Sequence, residues 1–516
     1  MHRRKFIKNA ASLVTPPILL NGYAINVLGS NSGFSLEQTN GRILVLIQLD
    51  GGNDGLNTLV PLNMYDNLKK VRPEIVLPEN KILPLTDLQG LHPSMTEIKS
   101  LFEEEKMMFI QNIGYPTPNL SHFRSKEIVL SASDSKTIVN SGWFGRYIDT
   151  IHPNYPENYP SYENPHPLAI SVGSSSSPTC QGLLNNSSVV LKNLTSNYES
   201  QSEEGEFPDT PYGNELDFVT RVMKSTEKYL EVVSETANTA QLLSEHWTDN
   251  SLADKLKIVA QLIAGGLTTP LYVVNLGGFD THANQVIAGE TETGKHAILM
   301  KYVSESIFAF QNELKIHNKE DDVLSLVYSE FGRRIASNSS SGTDHGEAYP
   351  MILSGSLVNP LVFGDNPEIP EEVEKKTNVP MKIDFRSVYA SILNQWFNLS
   401  TAEITNILLD DFEILPILKS HVSVDKIFNN SNELKIMPVF PNPVSQNATI
   451  QYYTNGGQTT LILYSIAGQK IKTLLNAKLP AGSHSLQFSR NGLVNGQYYL
   501  VLQTQSEKVS QSISIQ

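Results

Sequence analysis

The chain carries one cysteine, Cys180, in 516 residues. No intramolecular disulfide can form, so stability must come from a packed core. Cys180 lies in the loop-like stretch Ser174-Ser-Ser-Ser-Pro-Thr-Cys180 and reads as an unreactive thiol. Basic residues are in the minority: 39 Lys and Arg stand against 53 Asp and Glu, a formal net charge of −14. That balance excludes nucleic acid as the main partner. Long apolar runs are missing as well. No segment reaches the ~18 uninterrupted apolar residues of a membrane span, so the mature chain is expected to be soluble, without a transmembrane segment. What remains is ordinary globular composition, 40% hydrophobic and 18% charged. The length suffices for two or three domains with a large core.

Three apolar runs end in acidic or histidine residues. The run 43–49 leads to Asp50-Gly-Gly-Asn-Asp54. The run 271–275 leads to Gly278-Phe-Asp-Thr-His282. The run 323–329 leads to Glu330-Phe-Gly-Arg333, with Asp344-His-Gly346 shortly after. Continuous aliphatic runs of this kind predict strands buried on both faces. Ligands of open α/β sheets bind outside the carboxyl ends of the strands. Carboxylates and imidazoles at several such ends would converge in one crevice. Without cysteine, that donor set suits a divalent metal centre.

Residues 40–418 read as one α/β domain. Strand-like runs at 43–49, 107–112, 168–171, 271–276 and 324–328 alternate with helix-like stretches at 94–105, 215–235, 254–265 and 296–317. The alternation predicts a mostly parallel sheet flanked by helices. The proline-rich stretch 153–167 and the polar stretch 196–211 read as surface loops. Residues 419–437 are polar and aperiodic, a linker. Beyond them come short alternating strands at 448–454, 459–465, 484–489 and 497–503, separated by glycine-containing turns. These predict a small all-β sandwich over 438–516.

Both ends resemble targeting elements. Arg3-Arg-Lys-Phe-Ile-Lys8 precedes a modestly apolar stretch broken by Pro16-Pro17, so residues 1–38 resemble a twin-arginine export signal and leader. The tail matches at Val439-Phe-Pro-Asn-Pro-Val444, Leu463-Tyr-Ser-Ile-Ala-Gly468, Leu479-Pro-Ala-Gly-Ser-His484 and Leu493-Val-Asn-Gly-Gln-Tyr-Tyr499. In that order these resemble the type IX secretion C-terminal sorting domain of Bacteroidota. The competing reading, a carbohydrate-binding sandwich, lacks support from tryptophan, which the tail does not contain. The resemblances imply a twin-arginine translocase and the type IX machinery as partners. They imply export through the periplasm to the cell surface or medium.

The larger domain also resembles a known family. Its anchors are Leu49-Asp-Gly-Gly-Asn-Asp-Gly-Leu-Asn57, Asn119-Leu-Ser-His-Phe123, Gly142-Trp-Phe-Gly-Arg146, Gly278-Phe-Asp-Thr-His282, Ser329-Glu-Phe-Gly-Arg333, Thr343-Asp-His-Gly346 and Asp384-Phe-Arg-Ser-Val-Tyr389. They resemble the domain-of-unknown-function 1501 family, within the alkaline-phosphatase-like superfamily. The resemblance implies that superfamily's fold and one or two divalent ions: zinc, manganese, calcium or magnesium. Expected ligands are Asp50, Asp280, His282, Asp344 and His345. A late histidine used by alkaline phosphatases is absent here. Either Glu330 replaces it as a carboxylate ligand, or the site holds one metal. Ser121 is either a nucleophile at a helix N-terminus or simply an N-cap. His122 and Arg124 are expected near a bound anion, with Arg124 or Arg146 pairing with it; Arg333 is expected either to do the same or to lie at the surface. The implied function is an exported metal-dependent hydrolase of a small-molecule or polymer phosphate or sulfate ester. The alternative is a non-catalytic surface or glycan-binding protein that retains the fold.

Overall fold

In a computed structural model of the chain, the described residues are 18–20, 23–25, 41–194 except 154 and 158, 207–419 and, with short gaps, 434–515. Arg3, Arg4 and most of the linker lie outside them. The chain divides into two compact units, residues 1–419 and 420–516.

The first unit is built on a nine-stranded sheet. Its strands are β1 (Ile43–Asp50), β2 (Met107–Gly114), β3 (Ala169–Val172), β4 (Ser188–Leu191), β5 (Leu271–Gly277), β6 (Val323–Ser329), β7 (Tyr349–Ser354), β8 (Val362–Phe363) and β9 (Ile383–Asp384). The order is β8-β2-β7-β6-β1-β5-β3-β4, with β9 also on β2. Only β7 runs against the rest, pairing antiparallel with both β6 and β2. The sheet is therefore mixed but mostly parallel, as expected.

Strand periodicity sorts the side chains of β1 onto two faces. Leu44 and Leu46 join a core with Ile128 and Val129, and with Trp143 and Phe144. Those residues belong to helices α2 (His122–Ser131) and α3 (Trp143–Ile151). Val45 and Ile47 join the opposite core, against α5 (Ser251–Ala264) and α6 (Lys295–Ile316). Helices α1 (Thr96–Glu103) and α4 (Pro211–Ala237) add Ile98, Leu101, Tyr229 and Val233 to that side. Both faces are covered, which is why the strands read as continuous apolar runs. Register sets the site. Asp50 pairs with Gly277 of β5, and Leu49 with Ser329 of β6, so three strands end at one level.

Cys180 is fully buried in a short 3-10 turn, and burial pushes its thiol up to about 12. Among the described residues, no helix is long and apolar enough to cross a membrane.

The second unit holds two antiparallel sheets. One contains β10 (Lys435–Ile436), β11 (Asn447–Thr454) and β14 (Gly482–Ser489). The other runs β13-β12-β15-β16, comprising Lys470–Leu479, Gly457–Ser465, Gly496–Gln503 and Lys508–Ile515. Ile450 and Tyr452 from the first sheet and Leu461, Leu463, Leu500 and Leu502 from the second share one core.

Candidate metal centre

The strand ends converge through their loops. After β1 the chain turns at Gly51, whose φ of +123° suits only glycine. A Cβ there would lie 2.2 Å from the Asp280 nitrogen. This close approach joins the loops that follow β1 and β5. Arg333, fully buried, locks them together. Its guanidinium donates to the carbonyls of Gly51, of Gly52 at 2.8 Å, of Phe279 at 3.0 Å and of Thr343 at 2.8 Å. It also donates to Asp280 Oδ1 at 2.8 Å.

Three imidazoles surround Asp280. His345 Nε2 lies 3.1 Å and His282 Nε2 3.2 Å from Oδ1, and His122 Nε2 lies 3.4 Å from Oδ2. The Nε2 atoms of His282 and His345 are 2.9 Å apart. His122, Asp280 and His345 each bring one ligand atom within 4.8 Å of the others. Phe331 supports the group, its ring 5.0 Å from that of His122 and 4.6 Å from that of His345.

The outer nitrogens fix the proton positions. His122 Nδ1 lies 2.9 Å from Glu330 Oε1, and His282 Nδ1 lies 3.0 Å from Asp344 Oδ1. His345 Nδ1 lies 2.8 Å from the Leu120 carbonyl. A carbonyl and an ionised carboxylate only accept, so each Nδ1 carries the proton. In a neutral ring of this kind Nε2 then presents a lone pair. Such lone pairs would face one another and a carboxylate. The ring of His345 is held neutral by burial, which outweighs the Leu120 carbonyl and Asp280 and lowers its pKa. Burial raises the Asp280 carboxyl, but Arg333, His345 and His282 hold it down to about 2. The three Nε2 atoms and the carboxylate are thus the donors a cation would meet here. The distances from the three rings to Asp280, 3.1 to 3.4 Å, are close to the edges of about 3.3 Å that arms of ~2.0–2.1 Å give in a tetrahedron. Carboxylate or carbonyl support behind each metal-facing imidazole is the usual outer arrangement.

The structure places the expected residues unequally. Asp280, His282 and His345 come together as a possible ligand set, and His122, expected beside an anion, joins them. Glu330, buried and also accepting from the Gly51 nitrogen at 2.9 Å, stands behind His122. Asp344 stands behind His282, also accepting from Asn338 Nδ2 at 3.3 Å. Asp50 is engaged elsewhere. Lys126 Nζ and Gln48 Nε2 reach its Oδ1 at 2.8 and 2.9 Å, and Asn275 Nδ2 reaches Oδ2 at 2.7 Å. Three protein donors take the place a metal would have there.

The arginines expected at an anion are occupied too. Arg124 binds Glu127 and the carbonyls of Asp134, Ser135 and Thr137. Arg146 binds the carbonyls of Ile407, Ser141 and Ser131. Arg333 is the loop lock already described. Ser121 is exposed at the N-terminus of α2, between Leu120 and His122, and its hydroxyl makes no capping bond. The residues not anticipated are Lys126, Asn275, Phe331 and the Leu120 carbonyl. Phe331 and Leu120 lie inside the family anchors, and Lys126 lies one helical turn beyond His122.

The crevice is therefore a histidine-rich centre at the carboxyl edge of a mostly parallel α/β sheet. The chain belongs to the family described as "Protein of unknown function (DUF1501)", which matches residues 42–408. A secretion system C-terminal sorting domain matches residues 438–516, making this a secreted, cell-surface or extracellular protein handled by the type IX machinery. No curated protein matches the chain. Among solved structures it is similar to a protein of the alkaline phosphatase superfamily from Vibrio parahaemolyticus, at 11% identity and TM-score 0.31, covering 84% of this chain and 82% of that one. It is similar to the lipoteichoic acid synthase LtaP of Listeria monocytogenes at 12% identity and TM-score 0.29, covering 71% and 76%. It is also similar to the PsFucS1 sulfatase of Pseudoalteromonas sp. at 9% identity and TM-score 0.29, covering 88% and 85%.

Proposed function

We propose that the chain is an exported, metal-dependent hydrolase of a phosphate or sulfate ester. The observation that carries the metal is the convergence of the His122, His282 and His345 Nε2 atoms on Asp280. Those four side chains would hold one divalent ion. The ion would supply Lewis-acid polarisation of the ester. Asp50, Glu330 and Asp344, each offered as a ligand by the sequence, take supporting positions in this reading. Glu330 and Asp344 orient imidazoles, and the Lys126 ammonium neutralises Asp50. Ser121 is the nucleophile we favour over a capping role, because its hydroxyl is exposed beside His122 and makes no capping bond. The α2 N-terminus would favour its ionised form. The ester class follows from the family resemblance of the sequence.

The test separates metal from catalysis. Purified protein should hold about one divalent ion per chain by elemental analysis, matching one set of ligands. His282→Ala and His345→Ala should each lower metal occupancy at least ~10-fold, the range for disturbing a metal shell. Ser121→Ala should keep the metal and lose hydrolysis of an aryl phosphate and aryl sulfate panel. Wild-type protein that holds metal but hydrolyses no ester would instead favour the non-catalytic surface protein. Absence of metal, with no thermal shift on adding zinc, manganese, calcium or magnesium, would refute the centre itself.

A further inference from the structure

The acidic balance of the chain is not shared by its tail. Residues 438–516 carry five basic side chains, Lys470, Lys472, Lys478, Arg490 and Lys508, and one acidic side chain, Glu507. The whole chain has 39 basic and 53 acidic residues, which leaves 34 and 52 for residues 1–437. The net charge is thus −18 before the tail and +4 within it.

The lysines are not scattered. Three lie on β13 and one on β16, the two edge strands of the four-stranded sheet. Directly paired residues project from the same face of an antiparallel sheet. Lys470 pairs with Tyr464, and Tyr464 with Tyr499, forming one row. Lys478 pairs with Gln458. Asn476 pairs with Thr460, Thr460 with Gln503, and Gln503 with Lys508. The alternate residues Leu461, Leu463, Leu500 and Leu502 point the other way, into the core. The outer face therefore has a cross-strand tyrosine pair in the row of Lys470, Ile462 and Val501 in the next row, amides and a hydroxyl beyond them, and lysines on both borders. Tyr499 is 45% exposed. Three strand spacings of ~4.8 Å put the two lysine borders about 14 Å apart.

We propose that this outer face binds an anionic polysaccharide. The lysines would meet its carboxylate or phosphate groups. The tyrosines would stack on the apolar faces of its sugar rings, and Gln458, Asn476 and Gln503 would bond its hydroxyls. The aromatic pair and the amide rows favour a glycan over an acidic protein, for which charge alone would suffice. The match is independent of the metal centre.

The full chain is tested on polygalacturonate, neutral dextran and phosphatidylglycerol vesicles, at low and physiological salt. Polygalacturonate should bind, more weakly as salt rises, and dextran should not. The combined Lys470→Gln, Lys478→Gln, Lys508→Gln variant should weaken binding about 100-fold, since each cation near an anionic surface contributes about tenfold or less. Tyr499→Ala should weaken it about 5-fold, as loss of one stacking ring does. Circular dichroism checks that the variants fold. If the lysine variant misfolds, free polygalacturonate must displace the wild-type chain from the polymer and dextran must not. Polygalacturonate binding unchanged by the lysine variant, or absent in the wild type, overturns the proposal. So does binding to vesicles as tight as to polygalacturonate with Tyr499→Ala without effect.

Discussion

His92 and His296 lie buried behind the loop that follows β1, ring edge to ring face at 5.6 Å. His296 Nε2 donates to Asn53 Oδ1 at 3.1 Å, while its buried Nδ1 has no partner among the described residues. Protonating that nitrogen would bury both a charge and an unmatched donor. Burial accordingly lowers the pKa of His296 to about 4 and that of His92 to about 3. In the unfolded chain both would titrate near ~6.5. Between those values the unfolded state binds protons that the folded state refuses. Stability is therefore complete above ~6.5 and falls as pH drops towards 4, by at most about 1.4 kcal/mol per pH unit for each histidine. Chemical denaturation at pH 7 and at pH 4.5 should show the drop, and a His92→Leu, His296→Leu double variant should flatten it. An unchanged slope would mean that other groups carry the acid sensitivity. Single residues were also where the sequence was hardest to read. That Asp280, His282 and His345 come together was legible because they follow strand ends. The supporting places of Asp50 and Glu330 were not, because Lys126 and His122 reach them from far along the chain. Arg124, Arg146 and Arg333 looked like anion binders because a sequence does not tell which backbone carbonyls lack a partner.

At the scale of elements, β1, β2, β5 and β6 were readable because burial on both faces leaves an unbroken apolar run. Strand β7 was not. It is short, holds Pro350, and pairs antiparallel in a setting whose alternation suggested parallel strands alone. The edge strands β13 and β16 of the tail were missed as well, because lysine, serine and glutamine interrupt their apolar alternation. The turn after β1 is the element on which the centre depends most. Gly51 donates its N–H to Glu330, and a Cβ there would collide with the Asp280 main chain. Gly51→Ala should therefore separate the loops that carry Asp280 and Glu330. We expect a clear fall in melting temperature together with loss of the metal proposed for the centre. Gly41→Ala is the control, since it has a positive φ but open space around it. If Gly51→Ala retains metal at wild-type stoichiometry, the close approach is not what assembles the site.

For the whole molecule, the division into residues 1–419 and 420–516 predicts where the chain is nicked. Limited proteolysis should cut first near residues 419–437, because polar linkers between folded units are preferred sites. Cleavage beginning inside the larger unit would contradict the boundary. The two export signals proposed for the chain act at different membranes, so their losses should differ. Replacing Arg3 and Arg4 by lysine should hold the precursor in the cytoplasm, and deleting residues 438–516 should leave a processed form in the periplasm. Fractionation that finds the tail-deleted chain outside the cell in normal amount would contradict that order.

The contacts of the histidine centre span long stretches of chain. His122 meets Glu330 across 208 residues, His345 meets Leu120 across 225, and His282 meets His345 across 63. An ion held there would act as a covalent tie does in a disulfide-bonded protein. By the chain-entropy estimate, closing a loop of 100 residues or more restricts the unfolded state by about 5 kcal/mol. A secreted chain with one buried cysteine has no thiol pair for this purpose. Coordination would then serve as a cross-link, and chelation would act on it as reduction acts on other extracellular proteins.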